Sequence, residues 1–246
     1  MPLAKTSFCE GCWRQMHVPI PIRGPLSIPL RAVGIKVSQM HPNLCTICET
    51  MFTRVKRQKQ VVIQATVMFA DMRGYTALCQ DAEGDEVTDM LHRFYDECAS
   101  AVWEREGIIN KFIGDAVLAI FNFPLTRGDH VRQAVQSGLE ILHRCREKKA
   151  AMGLGSKGED AGFGVGVGIH TGKASIGEVG TAYKDFTIVG PVVNAASRIQ
   201  GAAQAGEVLV SEDVYRQVED LFPRAESRAC QLKGIEKPVS TYVLRP

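Results

Sequence analysis

Three stretches of this sequence place chemically useful side chains at informative spacings. In Phe69-Ala70-Asp71-Met72-Arg73-Gly74-Tyr75-Thr76, a carboxylate ends an apolar run and a glycine turn leads into the next helix. Free backbone N–H groups at such a corner can cradle phosphates while the aspartate holds a magnesium ion. An isolated aspartate at a strand end is more often a helix cap or turn former, so a second carboxylate matters. Asp115 provides it, in the Lys111-Phe112-Ile113-Gly114-Asp115 turn, although hairpin geometry by itself favours Asp there. Two strand-end carboxylates on adjacent strands could bind a pair of divalent ions for in-line attack at phosphorus. Further on, Pro191 breaks a strand and starts a helix with Asn194 and Arg198 at i and i+4, on one face. An amide beside a guanidinium can orient a ribose and neutralise charge developing on a phosphoryl group; a solvated surface pair is the blander alternative.

The fourth chemical feature is separate. Cys9-Glu10-Gly11-Cys12 and Cys45-Thr46-Ile47-Cys48 are two C-x-x-C pairs, the spacing of thiolate knuckles that close on one tetrahedral ion, zinc being preferred. An iron–sulfur cluster also takes four cysteines, and a redox dithiol is the third option. His17 and His41 are read as ordinary loop residues because four thiolates complete a site. Cys79, Cys98, Cys145 and Cys230 are scattered singly and read as small buried apolar side chains.

These groups need a scaffold, and the composition divides at about residue 60. The first 60 residues hold nine Lys/Arg against Glu10 and Glu49, and six of the 11 prolines. Prolines fix φ and remove donors, so residues 1–48 read as a metal-binding module of loops that the ion must hold together. Glu49 to Gln60 can form a basic linker helix with Arg54, Lys56, Arg57 and Lys59. Nucleic acid or an acidic membrane could bind its basic face, but a solvated helix is the preferred reading. Residues 61–246 then alternate helices and strands. Val61 to Met72 reads as a buried strand, Gly84 to Arg105 and Asp129 to Lys149 as amphipathic helices, and Ile108 to Ile113 with Ala116 to Phe123 as a hairpin. Phe163 to His170 and Lys173 to Val179 read as a second hairpin about Thr171-Gly172, and Phe186 to Val189 and Thr241 to Leu244 as strands. Asn194 to Ala203 is expected to be helical, as is Glu212 to Val218 behind a Ser211 cap. The sum is an α+β sandwich, helices covering a mostly antiparallel sheet. No apolar run approaches the ~20 residues of a membrane span and no signal-like segment opens the sequence, which makes the cytoplasm the expected location.

The segments F-A-D-M-R-G-Y-T, K-F-I-G-D-A, D-F-T-I-V-G-P-V-V-N-A-A-S-R and L-K-G stand in one order over residues 61–246. In these motifs the chain resembles the catalytic domain of class III adenylyl and guanylyl cyclases. The resemblance implies a ferredoxin-like core and a head-to-tail homodimer with its active sites at the subunit interface. It further implies that Asp71, Met72 and Asp115 hold two Mg²⁺ or Mn²⁺ ions, and that Gly74, Tyr75 and Thr76 line the substrate corner. Lys111 and Thr187 would recognise the base, Asn194 the ribose, Arg198 the α-phosphate and Lys233 the terminal phosphates. One subunit would supply the aspartates and its partner the rest. A Lys ammonium can only donate, to adenine N1, and a Thr hydroxyl can accept from adenine N6. The expected activity is therefore conversion of ATP to 3′,5′-cyclic AMP and pyrophosphate. The alternatives are a guanylate cyclase, or a nucleotide-sensing module with a nucleic-acid-binding zinc arm.

Overall fold

The computed structural model describes residues 6–49, 61–75, 84–126, 128–148, 164–181, 185–231 and 238–245. The expected linker helix, Cys79, Thr76 and Lys233 lie outside the described residues, apart from Glu49 at the linker's start. Its long apolar stretch makes Val61–Arg73 (β1) the central strand, followed by the helix α3 (Gly84–Glu104). The hairpin β2 (Ile108–Ile113) and β3 (Ala116–Phe121) comes next, then α4 (His130–Glu147) and β4 (Gly164–Val179). Spatial order β4-β1-β3-β2 for a β-α-β-β-α-β chain order is the ferredoxin-like arrangement. Beyond it lie β5 (Asp185–Val189), α5 (Pro191–Ala202), β6 (Glu207–Ser211), α6 (Glu212–Tyr215), β7 (Glu226–Cys230) and β8 (Val239–Leu244). Strand β6 joins β4 in parallel, and the other pairings are antiparallel.

Alternation along β1 sorts the core into two faces. Met68, Ala70 and Met72 pack with Phe94 and Cys98 of α3 and Val135 and Leu142 of α4. Ala65, Val67 and Phe69 face the other way, against Ile188 of β5 and Val192 and Ala196 of α5. Cys98, Cys145 and Cys230 are buried as the sequence suggests. Among the described residues, no helix is long and apolar enough to cross a membrane.

Three expectations are corrected. Thr171-Gly172 is no turn: β4 runs unbroken and pairs with all of β1 from Val61 to Arg73. A two-residue hairpin needs positive φ, which Gly114 adopts at +59° and Gly172 does not. Thr171 instead lies buried in the ladder, its hydroxyl donating to the Ala65 carbonyl. Ser211 does occupy an N-cap position but makes no cap bond; its hydroxyl pairs with His170 Nδ1 at 2.8 Å, and α6 ends at Tyr215. The third concerns the amino-terminal arm, which has local structure of its own. Helix α1 (Glu10–Met16) starts at Cys9, a short 3₁₀ turn (Pro25–Ser27) leads into α2 (Ile28–Ala32), and Ile22 and Leu44 form a small core around the four cysteines.

The arm is seated on α3 and β2. The Met40 carbonyl accepts from Trp103 Nε1 at 2.7 Å and from the Ile109 N–H at 3.4 Å. His41 is buried beside them, and its Nδ1 accepts from the Asn43 N–H at 3.1 Å. This histidine is an interface residue rather than an ordinary loop residue.

Candidate active site and thiolate cluster

Asp71 lies near the end of β1, on the face covered by α5, and the turn between β2 and β3 brings Asp115 to it. The Met72 N–H donates to the Asp115 carbonyl at 3.3 Å, which fixes the hairpin tip against β1. Burial raises the Asp71 carboxyl above its ordinary range and the Asp115 carboxylate raises it further, opposed by Gln200 and Arg73. Gln200 Nε2 donates to Asp71 Oδ2 at 3.0 Å, and Arg73 lies 3.7 Å from the same oxygen. Two neighbouring carboxylates, one of them with its charge disfavoured by burial and by the other, form a donor set suited to hard divalent cations. The Met72 side chain is buried in the opposite core, so only its backbone carbonyl could join that set. Gly74 takes the left-handed φ of +76° that turns the chain at this corner, and Tyr75 follows as the first helical residue.

A second network lies where β2 approaches β5. Lys111 Nζ is ion-paired with Asp185, the Thr187 hydroxyl donates to Asn110 Oδ1 at 3.1 Å, and Asn110 Nδ2 donates to the Phe186 carbonyl at 3.3 Å. A β-bulge makes this possible. Ile109 pairs with Ala119 and Lys111 with Leu118, leaving Asn110 as the extra residue. The shift in phase turns Lys111 to the Leu118 face, where β5 lies, and sends Phe112 to the other face, stacked on Tyr95 at 4.1 Å. Bulges re-aim side chains in this way beside functional sites.

Asn194 and Arg198 share a face of α5, as expected, with Asn194 exposed and Arg198 half-buried. Gln200, which reaches Asp71, follows Arg198 by two residues and so points about 200° around the helix from it. Within one chain, therefore, α5 turns Arg198 away from the carboxylates. Gln200, Asn110 and Asp185 escaped the sequence reading. Gln200 left one trace, a polar residue continuing the buried Val192-Ala196 stripe at a spacing of four; the other two depend on the bulge.

The thiolate cluster fits a metal ion on its own geometry. Sγ–Sγ separations are 3.5 Å for Cys9–Cys48, 3.4 Å for Cys12–Cys45 and Cys12–Cys48, and 4.0 Å for Cys45–Cys48. A tetrahedron with Zn–S bonds of ~2.3 Å has edges of about 3.8 Å. All four are buried free thiols, and Cys9 Sγ accepts N–H bonds from Cys12 at 3.4 Å and Cys45 at 3.2 Å. Hydrogen bonds from Cys48 and Cys9 favour a thiolate at Cys45, while burial pushes Cys12 up to about 12. A cation would relieve that conflict. Gly11 is required for closure, since a Cβ there would lie 2.7 Å from Cys48 Sγ.

The fold agrees with what comparison with other proteins finds. The family model for the adenylate and guanylate cyclase catalytic domain matches residues 57–246, and the chain belongs to this family, the class III nucleotidyl cyclases. An adenylate cyclase of Anabaena cylindrica is 32% identical over 186 residues, covering 73% of this chain and 36% of the relative. Adenylate cyclase 1 of Rhizobium meliloti is 29% identical over 182 residues, covering 73% of this chain and 27% of the relative. The chain thus spans about a third of the length of the curated relatives it matches. Among solved structures, the adenylyl cyclase CyaB from P. aeruginosa superposes with a TM-score of 0.68 at 30% identity, covering 76% of this chain and 97% of that one. The guanylyl cyclase Cya2 gives a TM-score of 0.65 at 25% identity, covering 75% of this chain and 92% of that one.

Proposed function

We propose that the chain converts ATP to 3′,5′-cyclic AMP and pyrophosphate at sites shared by the two subunits of a homodimer. The observation that carries this reading is the bulged β2 strand, which turns Lys111 toward β5, the strand that bears Thr187, and so supports the two as donor and acceptor for one base edge. Lys111 donates to adenine N1 and Thr187 accepts from N6, whereas guanine would place its N1–H against a cation. Asp71 and Asp115, with the Met72 backbone carbonyl, would hold two divalent ions, Mg²⁺ or Mn²⁺. When bound, such ions make the ribose 3′-hydroxyl a better nucleophile and neutralise the leaving phosphates. The 3′-oxygen forms its bond to the α-phosphorus as the bond to the β-phosphate oxygen breaks, and the hydroxyl proton leaves to solvent. Asn194 orients the ribose, Arg198 meets the charge developing on the α-phosphoryl oxygens, and Lys233 binds the terminal phosphates. Gly74, Tyr75 and Thr76 contribute the corner over the phosphates.

The orientation of α5 supports the shared site, because Arg198 faces away from its own chain's carboxylates and is free to serve a partner's. The cysteine arm is read as a structural module closed by one metal ion, zinc being the preferred ion for four cysteine thiolates in two C-x-x-C knuckles. Chromatography of products after incubation with ATP or GTP and Mn²⁺ tests the reading. Cyclic AMP formed in preference to cyclic GMP is expected; a preference for GTP would overturn the roles of Lys111 and Thr187, and no cyclic product would overturn the enzyme.

A further inference from the structure

A threonine hydroxyl is an ambiguous reader of a purine edge. It carries one proton and two lone pairs and rotates freely, so it can accept from an exocyclic amine or donate to a carbonyl oxygen. Thr187 alone would therefore tolerate either base at that position. In this structure its proton is committed to Asn110 Oδ1 at 3.1 Å. The amide cannot turn over to release it, because Nδ2 is held at 3.3 Å by the Phe186 carbonyl, which only accepts. A reversed amide would set two acceptors face to face and leave Thr187 receiving a hydrogen bond, its own proton free.

From this chain of bonds we infer that Asn110 is a positioning residue for base choice, fixing the Thr187 hydroxyl as an acceptor and thereby selecting a 6-amino purine. The inference rests on the proposal that Lys111 and Thr187 face the base. Asn110 can play this part because it is the unpaired bulge residue, released from the ladder that places Ile109 opposite Ala119 and Lys111 opposite Leu118. Its side chain and that of Lys111 consequently reach the same strand, β5, from adjacent positions. Asp185 holds Lys111 as Asn110 holds Thr187, so each base-facing group has its own orienting partner.

The test compares kcat/KM for ATP with kcat/KM for inosine 5′-triphosphate, which carries a carbonyl oxygen in place of the 6-amino group and so offers an acceptor to a Thr187 hydroxyl whose proton has been released. The full chain is assayed as wild type, Thr187→Val, Asn110→Leu, Asn110→Asp and the Asn110→Leu, Thr187→Val double variant. Loss of one neutral hydrogen bond should lower the ATP preference about three- to tenfold. Thr187→Val and Asn110→Leu should both show that loss, and the double variant should lose no more than either alone. Asn110→Asp keeps an acceptor for the Thr187 proton and should retain the preference within about twofold. If Thr187→Val lowers the ratio but Asn110→Leu slows both substrates equally, Asn110 is merely structural and the inference is overturned. Should Asn110→Leu fail to fold, Asn110→Asp decides: a ratio as low as that of Thr187→Val overturns it equally. A ratio unmoved by Thr187→Val means instead that the base-recognition proposal itself has failed.

Discussion

The seat of α5 on β4 offers the most direct test of how the fold positions the chemistry. Gly168 lies on β4 directly beneath the helix. A Cβ added there would stand 2.2 Å from Gln200 N and 2.4 Å from Gln200 Cα, both backbone atoms that no rotamer change can move. Ordinary van der Waals contact begins at 3.4 Å, so Gly168→Ala would force the helix back by about 1.2 Å in an interior that tolerates little overpacking. Overpacking of this kind costs about 1–3 kcal/mol, which corresponds to a fall in Tm of roughly 3–10 °C for a chain of this size. The same helix carries Gln200 against Asp71 and presents Asn194 and Arg198. A displacement of about 1 Å in groups that position substrate costs on the order of a hundredfold in rate. Gly201 in the same helix has nothing within 4 Å of an added Cβ, so Gly201→Ala should stabilise by about 0.5–1 kcal/mol and leave the rate unchanged. Thermal unfolding and initial rates of cyclic AMP formation, measured on both variants, separate the two effects. Wild-type Tm and rate in Gly168→Ala would refute the close seating of α5 and the argument built on it.

Asp71→Ala and Arg198→Ala should each abolish cyclisation, and mixing the two inactive proteins should restore activity through heterodimers with one intact site; no recovery despite demonstrated subunit exchange would sink the shared site. Elemental analysis should find close to one zinc per chain, lost in a Cys45→Ser, Cys48→Ser variant; iron with visible absorbance would replace zinc by a cluster, and no metal in anaerobically prepared protein would defeat the site. Burial holds His41 down to about 4 from the ordinary 6.5; the Trp103 carbonyl opposes the shift, Arg23 adds to it, and Cys9 opposes it. Because the folded arm needs the neutral ring, its stabilisation is complete above pH ~6.5 and is lost as pH falls through about 4, on the order of 3 kcal/mol in all. Limited proteolysis of the arm across that range should show the loss, and a His41→Gln variant should show a flatter dependence; equal slopes would refute the assignment.

Much of this protein was legible in one dimension. Strand β1, helices α3 and α4 and the Gly114-Asp115 hairpin follow from local periodicity and a turn that needs positive φ, and these depend on neighbours in sequence. The two C-x-x-C knuckles were legible too, because a tetrahedral thiolate site leaves a fixed spacing. Asp71, Asp115, Lys111, Thr187, Asn194 and Arg198 could be singled out by residue type and motif order. Their orientation could not be read in this way. The continuity of β4 through Thr171-Gly172 comes from thirteen residues of pairing with β1, a long-range gain that overrides a weak local turn signal. β6 is a five-residue strand, buried throughout, too short for its periodicity to identify. The bulge at Asn110 decides which face Lys111 takes, and a one-residue change of phase reverses every side chain beyond it. That choice rests on β3, β5 and the Met40 carbonyl at Ile109, groups distant in sequence that meet only when the chain has folded.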